Sequence, residues 1–248
     1  EMAKRGITVH LSLRVEKVVP EPALLVATLS DGQTIVAERR LVSIGRKMNT
    51  EGLGLEEAGV ALGKRGEIVV NDRMETGASG VYAIGDAVGR MMLAHVASAE
   101  GKIAAANAVA EPGSRSMNYD VVPAGIFTMP EIGTVGLKEW EAAEQGLPVR
   151  VGRYPFRALG RAHTMDEIAG FVKVITEAES GRILGVHIIG PHASDLIHAA
   201  AIAMRLGAKA SDMAEMIHAH PTLSEAMMEA AEDVYGSAIH LPRKKGTG

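Results

Sequence analysis

The chain has 248 residues, enough for one large domain or two ordinary ones, and its 47% hydrophobic and 23% charged residues are the mix of a soluble globular protein. A net charge of −4 gives no footprint for nucleic acid, since the basic tail is only Arg243, Lys244 and Lys245, and no apolar run approaches the roughly 20 residues of a membrane helix. Zero cysteines exclude a disulfide, a zinc–thiolate site or a cysteine nucleophile made by this chain alone, and 3% aromatic residues argue against base-stacking platforms.

In chain order, EMAKRG reads as the last turn of a helix, with cations at its end and Gly6 as the C′ residue. ITVHLSLRVEKVV follows as a strand. A domain seldom begins with the closing turn of a helix, so the sequence reads as one that starts inside a larger fold. No secretory h-region follows, and a cytoplasmic location is expected. ALLVATLS, the turn Asp31-Gly32 and TIVAERRLVSIG predict a hairpin.

SIGRKMNTEGLGLEEAGV predicts a loop and then a short helix. Gly52 and Gly54 form a G-x-G, but position 57 is Glu57 and no strand leads straight into a helix there, so a turn fits better than a dinucleotide fingerprint. GEIVVNDRMETGASGVYAIGDAVG predicts two short strands around a Gly/Ser turn, the second ending at Gly85-Asp86. An alanine-rich helix is expected from about Ala94 to Val109. EPGSRSMNYDVVP is the best boundary, with proline, glycine and serine between two periodic regions.

Beyond it, AGIFTMPEIGTVG is extended, KEWEAAEQG is a short helix stopped by Gly146, and VRVGRYPF is a strand. GFVKVITEAESGRILGVHIIG is a strong hairpin turning at Glu179-Ser180-Gly181. SDLIHAAAIAMRLG is an apolar helix with Ser194 placed to cap it and Gly207 to end it. Shorter helices follow in SDMAEMIHA and LSEAMMEAAEDVYG. Strands followed by a block of helices give an α+β character to this part.

HAHPTLSEA, residues 218–226, has two readings. In one, Thr222 and Glu225 form a capping box, and the two histidines are incidental; H-x-H is a poor metal site without a third ligand nearby. In the other, Pro221 holds His220 out of helical dihedrals, and Glu225 reaches back to one ring nitrogen. That would fix the tautomer and raise the basicity of the other nitrogen, making a general base for a thiol of pKa about 8.5. The two readings are compatible.

The wording IHAHPTLSEAMMEAA resembles the C-terminal active-site segment of the dihydrolipoamide dehydrogenase family of flavin disulfide oxidoreductases. LLVATLSDGQTIVAERRLVSIGRKMNTEGLGLEEAGV resembles the end of that family's NAD domain and its return to the flavin domain. GVYAIGDAVGRMMLAHVASAEG is similar to its second flavin motif, and GRAHTMDEIAGFVKVITEAESGRILGVHIIGPHASDLI to its interface domain. The resemblance implies an α+β / α/β architecture: residues 1–49 from an NAD-binding domain, 50–118 from an FAD-binding domain, and 119–248 an antiparallel-sheet-plus-helices interface domain.

It further implies that His220 is the base toward dihydrolipoamide and Glu225 the residue that orients it. The His220-Pro221 bond is often cis in the family, and this histidine faces the flavin and disulfide of the other subunit, so a homodimer is implied. Asp86 would bond the ribityl chain of FAD, and Met92, Leu93, Ala94 and His95 would begin a helix under the flavin ring, its positive end toward a reduced flavin. Val15 and Gly45 match positions lining the NAD pocket. On their own residues, Asp86 reads as a turn or cap, His95 as a core histidine, Val15 as core and Gly45 as a turn.

The family's enzyme is about twice this length. Its first flavin G-x-G-x-x-G, its redox C-x4-C pair and its NAD G-x-G-x-x-G are missing here. The expectation is therefore the C-terminal portion of such an enzyme, inactive alone, whose partners are the missing N-terminal half and the lipoyl domain of a 2-oxo acid dehydrogenase complex. Glutathione or mercuric reductase relatives, and a non-catalytic dimerisation module, are the competing readings.

Overall fold

The structure, a computed structural model, describes residues 1–109 and 114–242. Residues 110–113, the last three of which open the expected boundary stretch, and the basic tail from 243 lie outside the described residues. The chain divides into two compact units, Glu1–Asn49 and Thr50–Gly248.

In the first unit, Ala3–Arg5 form one 3-10 turn closed by Gly6, whose φ of 76° is the left-handed value that suits glycine. Strands β1 (Val15–Pro20), β2 (Leu25–Leu29) and β3 (Thr34–Ala37) form an antiparallel sheet in that order. Asp31 builds the β2–β3 turn by accepting from the Gln33 N–H at 3.0 Å, with Gly32 left-handed at φ 85°. The strand expected from Ile7 begins only at Val15: Ser12 has φ 58°, which interrupts extended backbone, and Ile7, Val9 and Leu11 are exposed. Val15 is itself exposed rather than core.

The second unit opens with turns where the sequence predicts a helix and two strands. After Gly54, the bonds from Gly59 N–H to Glu56 and from Val60 N–H to Leu55 are a Schellman closure. The helix is thus ended after a single turn, with Gly59 at φ 75°. Residues 67–84 make only the isolated bridges Leu62–Ile68 and Glu75–Tyr82. Asn71 explains the interruption, since its side-chain oxygen accepts from the Arg73 and Glu75 N–H groups and folds the chain into a turn. The glycine-aspartate pair lies in the 3-10 turn Gly85–Val88, and helix α1 runs Ala94–Val109.

The remainder is built on one antiparallel sheet. Strands β4 (Ala124–Ile126), β5 (Glu131–Gly136), β6 (Val149–Pro155), β7 (Phe171–Glu177) and β8 (Ile183–Gly190) lie in the order β4-β5-β8-β7-β6. Helix α2 (Glu139–Glu144) links β5 to β6, and α3 (Gly160–Thr164) links β6 to β7. Helix α4 (Ala193–Arg205) packs on β5 and β8, while α6 (Glu225–Asp233) packs on β6 and β7 and against α5 (Ala210–Glu215). Alternation puts Val172 with Val174, and Val186 with Ile188, into a core closed by Ile197 and Ala200 of α4 and Met227 and Ala230 of α6.

Helices α4 and α6 each approach the sheet so closely at one point that only glycine fits there. A Cβ on Gly133 would lie 2.2 Å from the Ala193 carbonyl, and one on Gly152 would lie 2.0 Å from that of Ala230. Gly207 ends α4 as expected, but Ser194 is not its cap. The Ser194 N–H and hydroxyl instead donate to Glu131 of β5 at 3.1 and 2.7 Å, so a strand carboxylate satisfies the helix start.

Candidate active site

The loop between α5 and α6 carries the histidine segment, and the start of α6 supplies the carboxylate. The His220–Pro221 peptide is cis. His220 Nδ1 lies 2.9 Å from Glu225 Oε1. Because a carboxylate only accepts, the ring hydrogen sits on Nδ1, and Nε2 keeps its lone pair. The His220 side chain is 77% exposed and that of Glu225 only 15%. The ring is thus open to a second molecule while its orienting group is sheltered.

Burial by itself would raise the Glu225 carboxyl. The Thr222 N–H, donating to Oε2 at 2.7 Å, and the His220 ring together hold it below the ordinary carboxylate value. It is therefore ionised at neutral pH, the state that can orient Nδ1–H and stabilise a charged imidazole. The pair is chemically equipped to take a proton at Nε2.

The capping box is half present. Glu225 reaches back to the Thr222 N–H as expected, but the Thr222 hydroxyl turns away to the Ala219 carbonyl at 2.7 Å. The helix begins at Glu225 with Ser224 in the cap position, and this leaves Thr222 too far ahead of the first turn to cap it. His218 turns Nδ1 to the Met216 carbonyl at 2.9 Å. No group of three or more metal-ligating side chains occurs among the described residues. A second His–Glu pair stands one turn further along α6: buried Glu229 accepts from His240 Nδ1 at 2.5 Å and from the Ile239 N–H at 3.1 Å.

Asp86 sits half-buried in the Gly85–Val88 turn. What holds that turn is a residue the sequence reading passed over. Glu100, fully buried in α1, accepts the Gly85 N–H at 2.6 Å and the Tyr119 hydroxyl at 2.6 Å. A lone glutamate in an alanine-rich helix gave one clue, since a charge on a buried face must find partners. Met92 and Leu93 are partly buried, and Ala94 and His95 are exposed at the start of α1. His95 is not a core histidine; its Nε2 bonds the Pro123 carbonyl at 2.8 Å.

A carboxylate beside a left-handed glycine, followed by the open start of a sixteen-residue helix, fits a polyol-bearing flavin whose ring can take negative charge. Gly45, at φ 120°, has open space where a Cβ would be, and Val15 is exposed at the start of β1.

Residues 1–101 match the pyridine nucleotide-disulphide oxidoreductase family, and residues 122–231 match its dimerisation domain. The chain is 48% identical over 209 residues to the dihydrolipoyl dehydrogenase of Thermus scotoductus, spanning 84% of this chain and 45% of that protein. Among solved structures it is similar to LpdA from Mycobacterium tuberculosis, at 32% identity and a TM-score of 0.84 over 93% of this chain and 50% of that one. The flavoprotein disulfide reductase RclA of Escherichia coli gives 26% identity and a TM-score of 0.85, over 93% and 53%. The chain thus spans about half the length of the proteins it matches. With the histidine–carboxylate pair standing on a dimerisation domain, and both parts of the match in order, the chain belongs to the pyridine nucleotide-disulphide oxidoreductase family.

Proposed function

We propose that this chain is the C-terminal portion of a dihydrolipoamide dehydrogenase and supplies its general base and its dimer interface. The observation that carries this reading is the His220–Glu225 pair, with the ring exposed and the carboxylate sheltered. Dihydrolipoamide presents two thiols. His220 Nε2 takes the proton of the attacking thiol as its sulfur displaces one sulfur of an acceptor disulfide, and Glu225 stabilises the imidazolium that results. The second thiol then attacks the lipoyl sulfur of the resulting mixed disulfide, closing the lipoyl disulfide and expelling the acceptor's other sulfur. The acceptor leaves as a dithiol or thiolate with the two electrons, and the substrate's two protons pass to the base, the acceptor sulfurs or solvent. These 248 residues hold no cysteine, so the acceptor disulfide comes from outside them.

When bound, FAD would relay the electron pair from the reduced dithiol to NAD⁺. Asp86 would hold its ribityl chain and Met92, Leu93, Ala94 and His95 would face its ring, while Val15 and Gly45 would meet NAD. In this reading residues 1–49 belong to the NAD-binding domain, 50–118 to the FAD-binding domain, and 119–248 to a homodimer interface. The lipoyl domain of a 2-oxo acid dehydrogenase complex is the partner that delivers substrate.

The test is a full-length enzyme bearing these residues, assayed with dihydrolipoamide and NAD⁺. His220→Gln is expected to lower kcat about a hundredfold or more, with NADH–flavin exchange retained. A variant with unimpaired thiol oxidation would exclude His220 as the base. This chain alone, given FAD, NAD⁺ and dihydrolipoamide, is expected to form no NADH.

A further inference from the structure

The two oxygens of the Glu225 carboxylate are held by two different residues. Oε1 faces the His220 ring at 2.9 Å, and Oε2 accepts the backbone N–H of Thr222 at 2.7 Å. The Thr222 hydroxyl lies 2.7 Å from the carbonyl of Ala219, the residue just before His220, and 2.9 Å from Ser224 Oγ. A carbonyl can only accept, so the hydroxyl hydrogen goes to Ala219 and Ser224 donates to Thr222. One residue therefore ties the backbone behind the ring to the carboxylate in front of it. Pro221, between them, has neither an N–H nor a polar side chain and cannot share that task. The β-branch of threonine limits its χ1 and pre-aims the hydroxyl.

We propose that Thr222 is a positioning residue for the His220–Glu225 pair. Its amide sets the rotation of the carboxylate, its hydroxyl sets the chain entering His220, and together they hold the hydrogen on Nδ1 with the Nε2 lone pair outward. Thr222 touches no reacting atom. The catalytic consequence rests on the general-base reading given above; the geometric role does not.

The discriminating variants are Thr222→Val, which keeps shape and backbone N–H but removes the hydroxyl, and Thr222→Ser, which keeps the hydroxyl. Nitrogen-15 NMR of the His220 ring in this chain reports which nitrogen carries the hydrogen. The parent chain and Thr222→Ser are expected to hold it on Nδ1, whereas Thr222→Val moves a large share to Nε2. Amide shifts away from residues 216–226 monitor the fold. Should the valine variant fail to fold, Ser224→Ala removes the donor to the Thr222 hydroxyl and is expected to shift the tautomer in the same direction by less.

An unchanged His220 tautomer in Thr222→Val, or in Ser224→Ala if that variant must stand in, overturns the proposal. In a full-length enzyme the valine variant should lower thiol-dependent kcat/KM roughly tenfold, with serine restoring it. If the tautomer shifts while thiol oxidation does not slow, the positioning role stands and the general-base reading falls.

Discussion

The sheet of residues 124–190 and the sheet of residues 15–37 are both antiparallel and both rich in β-branched residues, yet within this chain only the first has its apolar residues covered. In the first, Val172, Val174, Val186 and Ile188 are essentially inaccessible to solvent, beneath two helices that leave no room for a Cβ at Gly133 or Gly152. In the second, only Leu29 of the strand residues is buried, while Val15, Val19, Ile35 and Val36 are exposed. Apolar, β-branched composition specifies a strand in both. It specifies a core only where another layer covers one face, since burial rather than propensity supplies most of the stabilisation.

The largest effect expected from this contrast is steric. Gly152→Ala would drive a methyl into the Ala230 carbonyl and separate α6 from β6, at a cost of about 3 kcal/mol. Gly32→Ala meets nothing within 4 Å and has only its left-handed conformation to oppose it, about 1 kcal/mol. Urea denaturation of both variants orders them, and a reversed order would mean that α6 yields to the new methyl.

Next in size, Val174→Ala should cost about 2 kcal/mol by leaving a cavity, against less than about 0.5 kcal/mol for Val36→Ala. Hydrogen exchange read separately on peptides from each sheet measures both. Equal losses would show that Val36 is covered by packing in solution, and the contrast would fail.

The smallest effects are titrations, and they sharpen the picture of the larger sheet. Burial lowers the His187 pKa; its Nδ1 faces the Thr134 hydroxyl at 2.6 Å and its Nε2 the Leu137 carbonyl at 3.0 Å. The unfolded chain takes up this proton first, so the stability linked to His187 is lost as pH falls below the ordinary histidine value of 6.5. His240 has the opposite sign. Its hydrogen bond to Glu229 raises its pKa, so its contribution is present below 6.5 and lost as pH rises through the raised value. His187→Gln should flatten the acidic limb of the stability–pH curve and His240→Gln the upper one. A pair of curves that move together would contradict these assignments.

Much of the larger sheet was legible locally. The β7–β8 hairpin announces itself through Glu179-Ser180-Gly181, and the left-handed Gly181 at φ 74° bears that out. Helix α1 follows from its alanine content, and α2, α4 and α6 from apolar patterning and terminal glycines. Two of the failures share a cause. The helix expected after Gly54 and the strands expected across 67–84 are short elements whose ends are decided by Gly59 and by the Asn71 side chain, a competition between local bonds that periodicity does not weigh.

At the candidate site the split is similar. His220, Pro221 and Glu225 stand out within one short stretch, because five residues of chain can return a carboxylate to a ring. Glu100 and Glu131 could not be read that way. Glu100 serves the Gly85 turn from 15 residues away, and Glu131 serves Ser194 from 63 away, so their roles exist only once the helix and the sheet are in place.

By itself, then, the sequence determined the hairpins, the longer helices, the family resemblance and the pairing of His220 with Glu225, because each is written in neighbouring residues through turn chemistry, periodicity or a short motif. The tertiary structure alone decided which apolar strands gain a core and which carboxylate starts α4. Those outcomes depend on the desolvation and hydrogen-bond needs of groups that meet only when distant segments pack, and no local pattern encodes that meeting.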